Sequence, residues 1–442
     1  MSVPRKSWPV LTLLGIAVAV IGGCQEQLAS GAACPSLCPD TLVVKDTVFS
    51  GKAAFDTITT VVGIPPLGTE TSLLVGDFTQ GGSPVQTAAI MRFDSLVRIF
   101  PDTDTTAAKR PFTRVDSSAL SIIVIPPTDS TKDTILVPDS ITFVVYDVNV
   151  NAPDFDTAAV HARLNTLPIA SRVVPRDSVK GAIRIPLDTG WVAQHVRNGV
   201  RIRLGLRIQS ALPAQIVVGS TEGSQGATLQ YFGYADTSRS FITRGVNTVG
   251  EPGTPTLKSL SDYDLVLQGT PPPPPGILAA GGIPGSRIYM RFNVPAVLID
   301  SSATIVRANL ILHQAANLTF FPSDTTDTIL LQTRVVQATP FVTDIGTAAL
   351  LVADPATLGA TGIPTSNLRP NTEHPDTIPI VGLFILWKRV GPRASQRALV
   401  LKSSAEGIDP QQYFFYSLDA PNDTLRPRLE ISYILKSGFG LP

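Results

Sequence analysis

The sequence predicts an all-β chain built from two copies of one module. Three observations carry this expectation. Apolar and polar residues alternate with period two through most of the chain, helical spacing is confined to two short segments, and four short elements recur in the same order in both halves.

The alternation is plainest in Val200–Ile208, where one face is aliphatic and the other carries Arg201, Arg203, Gly205 and Arg207. Such a pattern belongs to a half-buried strand. Similar runs cover 141–150, 181–187, 307–314, 328–338, 397–403 and 429–435. Asp-Thr pairs, as at Asp46, Asp133, Asp188, Asp376 and Asp423, punctuate these runs: Asp closes turns on its own backbone, and Thr suits the strand that follows. Calcium is the sharper reading of Asp102 with Asp104 and of Asp324 with Asp327, but neither pair sits in a full EF-hand loop. Helical pattern appears in 188–198, with Asp188 or Thr189 as cap and Gly199 as stop, and in 383–390 before Gly391-Pro392.

The repeat is read from order rather than from identity. Met91-Arg92-Phe93-Asp94 matches Met290-Arg291-Phe292-Asn293, and Asp116-Ser-Ser-Ala119 matches Asp300-Ser-Ser-Ala303. The Trp191 segment matches the Trp387 segment. Leu229–Tyr234 matches Gln411–Tyr416, each after a Glu-Gly pair, Glu222-Gly223 or Glu406-Gly407. These matches place a first module at 40–254 and a second at 255–442. Pro255–Tyr263 either closes the first or opens the second. Pro271–Pro275 looks like a linker, yet Val62-Gly-Ile-Pro-Pro66 stands at the same relative place, so the run is expected inside the second module.

The first residues carry an export signal. Arg5 and Lys6 precede an apolar run, Val10–Ile21, of signal-peptide length and too short for a comfortable bilayer span. Ile21-Gly22-Gly23-Cys24 then resembles a lipobox, with Ile where Leu is commonest. The resemblance implies cleavage of 1–23 and lipidation of Cys24, with 24–39 as a tether. Several acyl chains, at ~0.8 kcal/mol per buried methylene, anchor a protein stably. Gln25 follows, with no Asp to suggest inner-membrane retention, so the outer membrane or cell surface is the expected location. The plainer reading is a secretory signal with a chance cysteine.

Composition narrows the function classes. The formal net charge is zero, and loss of Arg5 and Lys6 leaves about −2, so there is no basic field for nucleic acid. Cys34 and Cys38 suit a small local disulfide in an oxidising envelope, and two thiols alone make no metal site.

The order of an Arg-Phe-Asp strand, a Ser-Ala strand, a Trp-bearing short helix and a closing Arg-Pro-Arg-Leu-Xaa-Ile-Xaa-Tyr strand resembles the DNRLRE-type modules. The carrying residues are Arg291-Phe292-Asn293, Ser302–Leu312, Trp387 and Arg426–Tyr433, with Arg92-Phe93-Asp94, Ser118–Val124 and Trp191 in the first copy. The literal signature is absent. The resemblance implies a jelly-roll-like sandwich with a short helix in each module, and a family that includes binders of alginate-like polyuronates.

No catalytic constellation stands out among His161, His195, His313 and His374, and no serine elbow or phosphate loop appears. Glu222, Glu406 and Glu251 leave glycoside hydrolysis to converging acids, which only a fold can place. Cofactor and metal are therefore not expected. The candidate ligand-binding residues are Arg201, Arg203 and Arg207, whose guanidinium forks suit carboxylates of an acidic polysaccharide, with Trp191 and Trp387 as stacking platforms. A solvated sheet face and core packing are the plainer readings of the two sets. The expected function is non-catalytic binding of polysaccharide by a membrane-anchored envelope lipoprotein. The alternative is a structural spacer or an assembly subunit among envelope proteins.

Overall fold

Period-two alternation becomes antiparallel strand throughout the computed structural model. It describes residues 43–62, 70–80, 83–101, 109–125, 138–148, 164, 168–246, 261–300, 302–316, 330–336, 344–350, 362–364, 368, 373–390, 397–407 and 410–435. Cys24, Cys34, Cys38 and the Asp102/Asp104 and Asp324/Asp327 pairs lie outside these residues.

A first series of strands runs β1 (Val44–Ser50), β2 (Phe55–Val61), β3 (Ser72–Gln80), β4 (Ser83–Phe93), β5 (Arg114–Ile125), β6 (Ser140–Asp147), β7 (Ala170–Pro175) and β8 (Gly181–Pro186). Helix α1 (Thr189–Asn198) leads on to β9 (Ile202–Gln209), β10 (Ala214–Gly219) and β11 (Thr228–Ala235). A second series runs β12 (Ser238–Gly245), β13 (Asp262–Gln268), β14 (Ile277–Gly281), β15 (Arg287–Phe292), β16 (Ala303–Gln314), β17 (Leu330–Val335), β18 (Gly362–Pro364) and β19 (His374–Pro379). Helix α2 (Val381–Val390) precedes β20 (Ala398–Ser403), β21 (Gln412–Tyr416) and β22 (Arg428–Leu435).

The fold is all-β and of sandwich type. Eleven strands, β3 to β13, form one sheet ordered β12-β11-β5-β10-β3-β4-β9-β6-β7, with β13 on β4 and β8 on β5. Alternate residues from these strands, among them Met91, Phe93, Leu120, Phe143, Ile183, Leu204, Ile216 and Tyr231, meet in one core, so the sheet wraps around it. The second sandwich faces a six-stranded sheet (β1-β22-β16-β21-β14, with β19 on β16) against a five-stranded one (β18-β17-β20-β15-β2). Phe55, Met290, Leu310, Trp387, Leu399 and Phe415 fill the space between them.

Strand pairing shows the repeat and corrects its boundaries. β4 on β9, β6 on β9, β6 on β7, β5 on β8, β3 on β10 and β5 on β11 correspond to β15 on β20, β17 on β20, β17 on β18, β16 on β19, β14 on β21 and β16 on β22. The position beside β4 is filled by β13, with Met91 opposite Asp262; the position beside β15 is filled by β2, with Met290 opposite Ile58. Likewise β12 flanks β11, and β1 flanks β22. The opening strand pair of each eleven-strand copy therefore completes the other copy's sandwich.

The expected modules 40–254 and 255–442 consequently do not coincide with the sandwiches. β1 and β2 belong to the second, and both β12 and β13 to the first. Pro271–Pro275 lies between β13 and β14 and carries the chain from one sandwich to the other, so it is a linker after all. Periodicity marks which residues form strands; it carries no information on which distant strand each one joins. The expected match of Leu229–Tyr234 with Gln411–Tyr416 is also one strand out, because the pairing makes β22 the counterpart of β11 and β10 that of β21.

Both helices form where expected. Asp188 caps α1 by accepting the Trp191 amide at 2.6 Å, and Gly199, at φ +66°, ends it in the left-handed region. The helix buries Val192, Ala193 and Val196.

Candidate functional site

The arginine row on β9 is not a solvated face. Arg203 is 0% exposed and lies opposite Arg92, 1% exposed, across the β4–β9 pair. Buried Asp94 receives Arg92 Nε at 3.3 Å and Arg201 Nε at 3.4 Å. Arg207 donates to the Leu164 carbonyl at 3.3 Å and to Gln86 Oε1 at 3.4 Å. A second apolar layer, Val144, Tyr146, Val148, Leu164, Tyr263 and Leu265, covers this side of the sheet. The alternation is real, but both faces are covered, and the guanidinium groups are held by protein partners. The Arg201 side chain keeps 36% exposure and Arg207 is half-buried, while Arg203 is fully buried.

The tryptophans divide. Trp387 is buried, with ring centroids 5.3 Å from Phe292 and 5.1 Å from Phe384, so it packs the core and offers no platform. Trp191 is half-buried against the core of the first sandwich and meets the His195 ring at 4.2 Å with a 42° tilt. His195 Nδ1 lies 2.9 Å from the Trp191 carbonyl, a local helix contact. Among the described residues no three His, Cys, Asp or Glu side chains are grouped to hold a metal ion, and no helix is long and apolar enough to cross a membrane.

A different surface gathers aromatic rings and cations. Along β11, Leu229, Tyr231 and Ala235 turn into the core while Gln230, Phe232 and Tyr234 turn outward. Tyr231 is pinned by donating to the Val97 carbonyl at 2.7 Å. Gly233 is required here, since a Cβ would stand 2.7 Å from the Phe112 ring. The register sets Tyr234 opposite both Arg114 on β5 and Arg239 on β12, and Phe232 opposite Phe241.

The side chains use that register. The Arg114 guanidinium lies 4.2 Å from the Tyr234 ring centroid, and that of Arg239 lies 3.9 Å from Phe232. The Phe232 and Phe241 rings are 4.7 Å apart. Arg239 also meets Asp116 at 3.3 Å. Arg110 extends the row, 4.6 Å from the Phe100 ring and bonded to Ser238 Oγ at 3.1 Å. Phe241 is 47% exposed and the Arg239 side chain 46%. β12 ends the strand order, so this surface sits at a sheet edge.

Held over rings, these guanidinium groups lose little freedom when they donate to a planar carboxylate, and the open part of Phe241 offers an apolar face beside them. Sequence reading missed the site because its residues come from three segments. The available signal was alternation, Phe232 with Tyr234 and Arg239 with Phe241; only pairing showed that the two sets are neighbours.

No family model and no curated protein matches the chain. Among solved structures, it is similar to chains from infectious bursal disease virus of the Gt strain (10% identity, 87% of this chain and 76% of that chain, TM-score 0.15) and of the Gx strain (9%, 90% and 77%, 0.14). Neither likeness bears on what this chain does.

Proposed function

We propose that the chain is a membrane-anchored envelope lipoprotein, without catalytic activity, that binds an acidic polysaccharide at the cell surface. The anchor rests on the signal and lipobox-like residues ending at Cys24. The binding reading is carried by one observation, the exposed platform of Arg110, Arg114, Phe232, Tyr234, Arg239 and Phe241. It replaces the β9 row as the place where carboxylates of a uronate chain would be met, with an aromatic ring for the apolar sugar face.

The test is affinity-gel retardation of the soluble mature chain on uronate and neutral polysaccharides. Retardation by uronates should weaken with salt, since exposed ion pairs are screened over ~8–10 Å at physiological strength. Arg239→Ala and Phe241→Ala should each weaken it at least several-fold, and Arg307→Ala, an exposed side chain on β16 of the second sandwich, should not. No retardation by any uronate would end this reading for the glycans tried.

The exchanged strand pairs favour a second reading, a stiff spacer or assembly subunit. Two sandwiches that complete each other resist bending better than two joined by a single linker. Co-purification of a stoichiometric envelope partner, with no glycan binding, would select it.

A further inference from the structure

Both Glu-Gly turns reach Glu70 and the start of β13. In the turn before β11, the Thr221 amide and hydroxyl both donate to Asp262 Oδ2 at 2.9 Å, and Ser220 Oγ donates to the carbonyl of Glu70, which precedes β3. From the second sandwich, Gly407 lies against the same group: a Cβ there would stand 3.2 Å from Glu70 Cγ and 3.6 Å from Asp264 Oδ2. Its φ of +87° lets the turn approach that closely.

Asp264, on β13, is 7% exposed, and neither of its carboxylate oxygens makes a full hydrogen bond among the described residues, although the Leu74 amide is directed at it. Asp262, 1% exposed, also has one oxygen without a partner. The carboxylates acting on Asp264 are Asp262 on its own strand and Glu70 ahead of β3; Glu222, in the turn before β11, acts on those two, and Glu406 precedes Gly407 in the turn after β20. The cations on that last side, Arg287 and Lys402, are engaged by Glu406 at 2.6 Å and 2.9 Å.

A buried carboxylate without donors favours its neutral form. Burial pushes Asp264 well above the usual carboxylate range; the Leu74 amide opposes this, and the charges of Glu70 and Asp262 add to it more weakly. Burial and the same neighbours also raise Glu222.

We propose that this cluster is a proton-operated latch between the sandwiches: with Asp264 neutral the Glu406–Gly407 turn seats on β13, and loss of the proton loosens that contact. The sign follows from linkage. A carboxyl raised in the folded state contributes stability that is full below the ordinary Asp range and is lost as pH rises through its folded value.

The test compares the full mature chain with Asp264→Asn at pH 4 and pH 8, by thermal unfolding and by limited proteolysis of the linker at 269–276. Asn keeps the shape of the neutral acid. It should raise Tm by ~2 °C or more at pH 8, with little gain at pH 4. Linker cleavage of the native chain should run several-fold faster at pH 8, and the variant should abolish that difference. Equal effects at both pH values, or no effect on cleavage, would overturn the latch. So would calcium restoring protection at pH 8, which would make the cluster a metal site. If Asp264→Asn fails to fold, Glu222→Gln removes the carboxyl that acts on Asp262 and Glu70 and should shrink the cleavage difference; an unchanged difference would count against the proposal.

Discussion

Arg92 and Arg203 face each other across the β4–β9 pair, and both are buried. Two cations side by side in an interior require anions or carbonyls close by, and Asp94 is the carboxylate that meets Arg92. Asp94→Ala should cost ~3–5 kcal/mol, the usual penalty for stripping a buried charge of its partner. Arg201→Ala, which removes the partly exposed member of the group, should cost ~1 kcal/mol or less. Urea unfolding of both variants measures the two costs; similar values would contradict this account of Asp94.

The exchanged strands predict a folding dependence. Phe55 is fully buried in the second sandwich, and β2 supplies one whole edge of its five-stranded sheet. A fragment of residues 270–442 should lack a cooperative thermal transition and near-ultraviolet circular dichroism. Adding a peptide of residues 43–62 should restore both. Independent folding of the fragment with the stability of the whole chain would mean that the pairing of β2 with β15 is dispensable.

Asp376 adds a pH dependence of its own. It is buried on the core side of β19, and this burial pushes its carboxyl up to about 6, against the opposing effect of His374 3.4 Å away. The stability it contributes is full below the ordinary Asp value and is lost as pH rises through about 6. Asp376→Asn should therefore raise Tm at pH 8 and leave it nearly unchanged at pH 4. An equal shift at both values would assign the effect to packing rather than to charge.

Gly223 tests a close backbone approach. A Cβ there would stand 2.1 Å from the Thr71 carbonyl oxygen, so one chain must move. Gly223→Ala should cost ~1–3 kcal/mol, as overpacking does. Gly245→Ala, where a Cβ meets nothing within 4 Å, should stay within ~0.5 kcal/mol of the native chain. Chemical denaturation of the pair is enough to decide it.

Local physics was legible from the residues alone. Alternation marked β9, β16, β20 and β22 because side chains on a strand point to opposite faces in turn. Asp188 and Gly199 bounded α1 because a carboxylate satisfies the first helical amides and glycine tolerates a positive φ. The order of the Met-Arg-Phe, Ser-Ser-Ala and Trp elements exposed the duplication. What the sequence by itself could not determine is non-local. Pairing sent β1 and β2 into the second sandwich and β12 and β13 into the first, buried Arg203 opposite Arg92, and set Arg114 and Arg239 on either side of Tyr234. A strand's periodicity states how many faces it has. Which face meets water depends on what packs against it from elsewhere in the chain, and only the tertiary structure decided that.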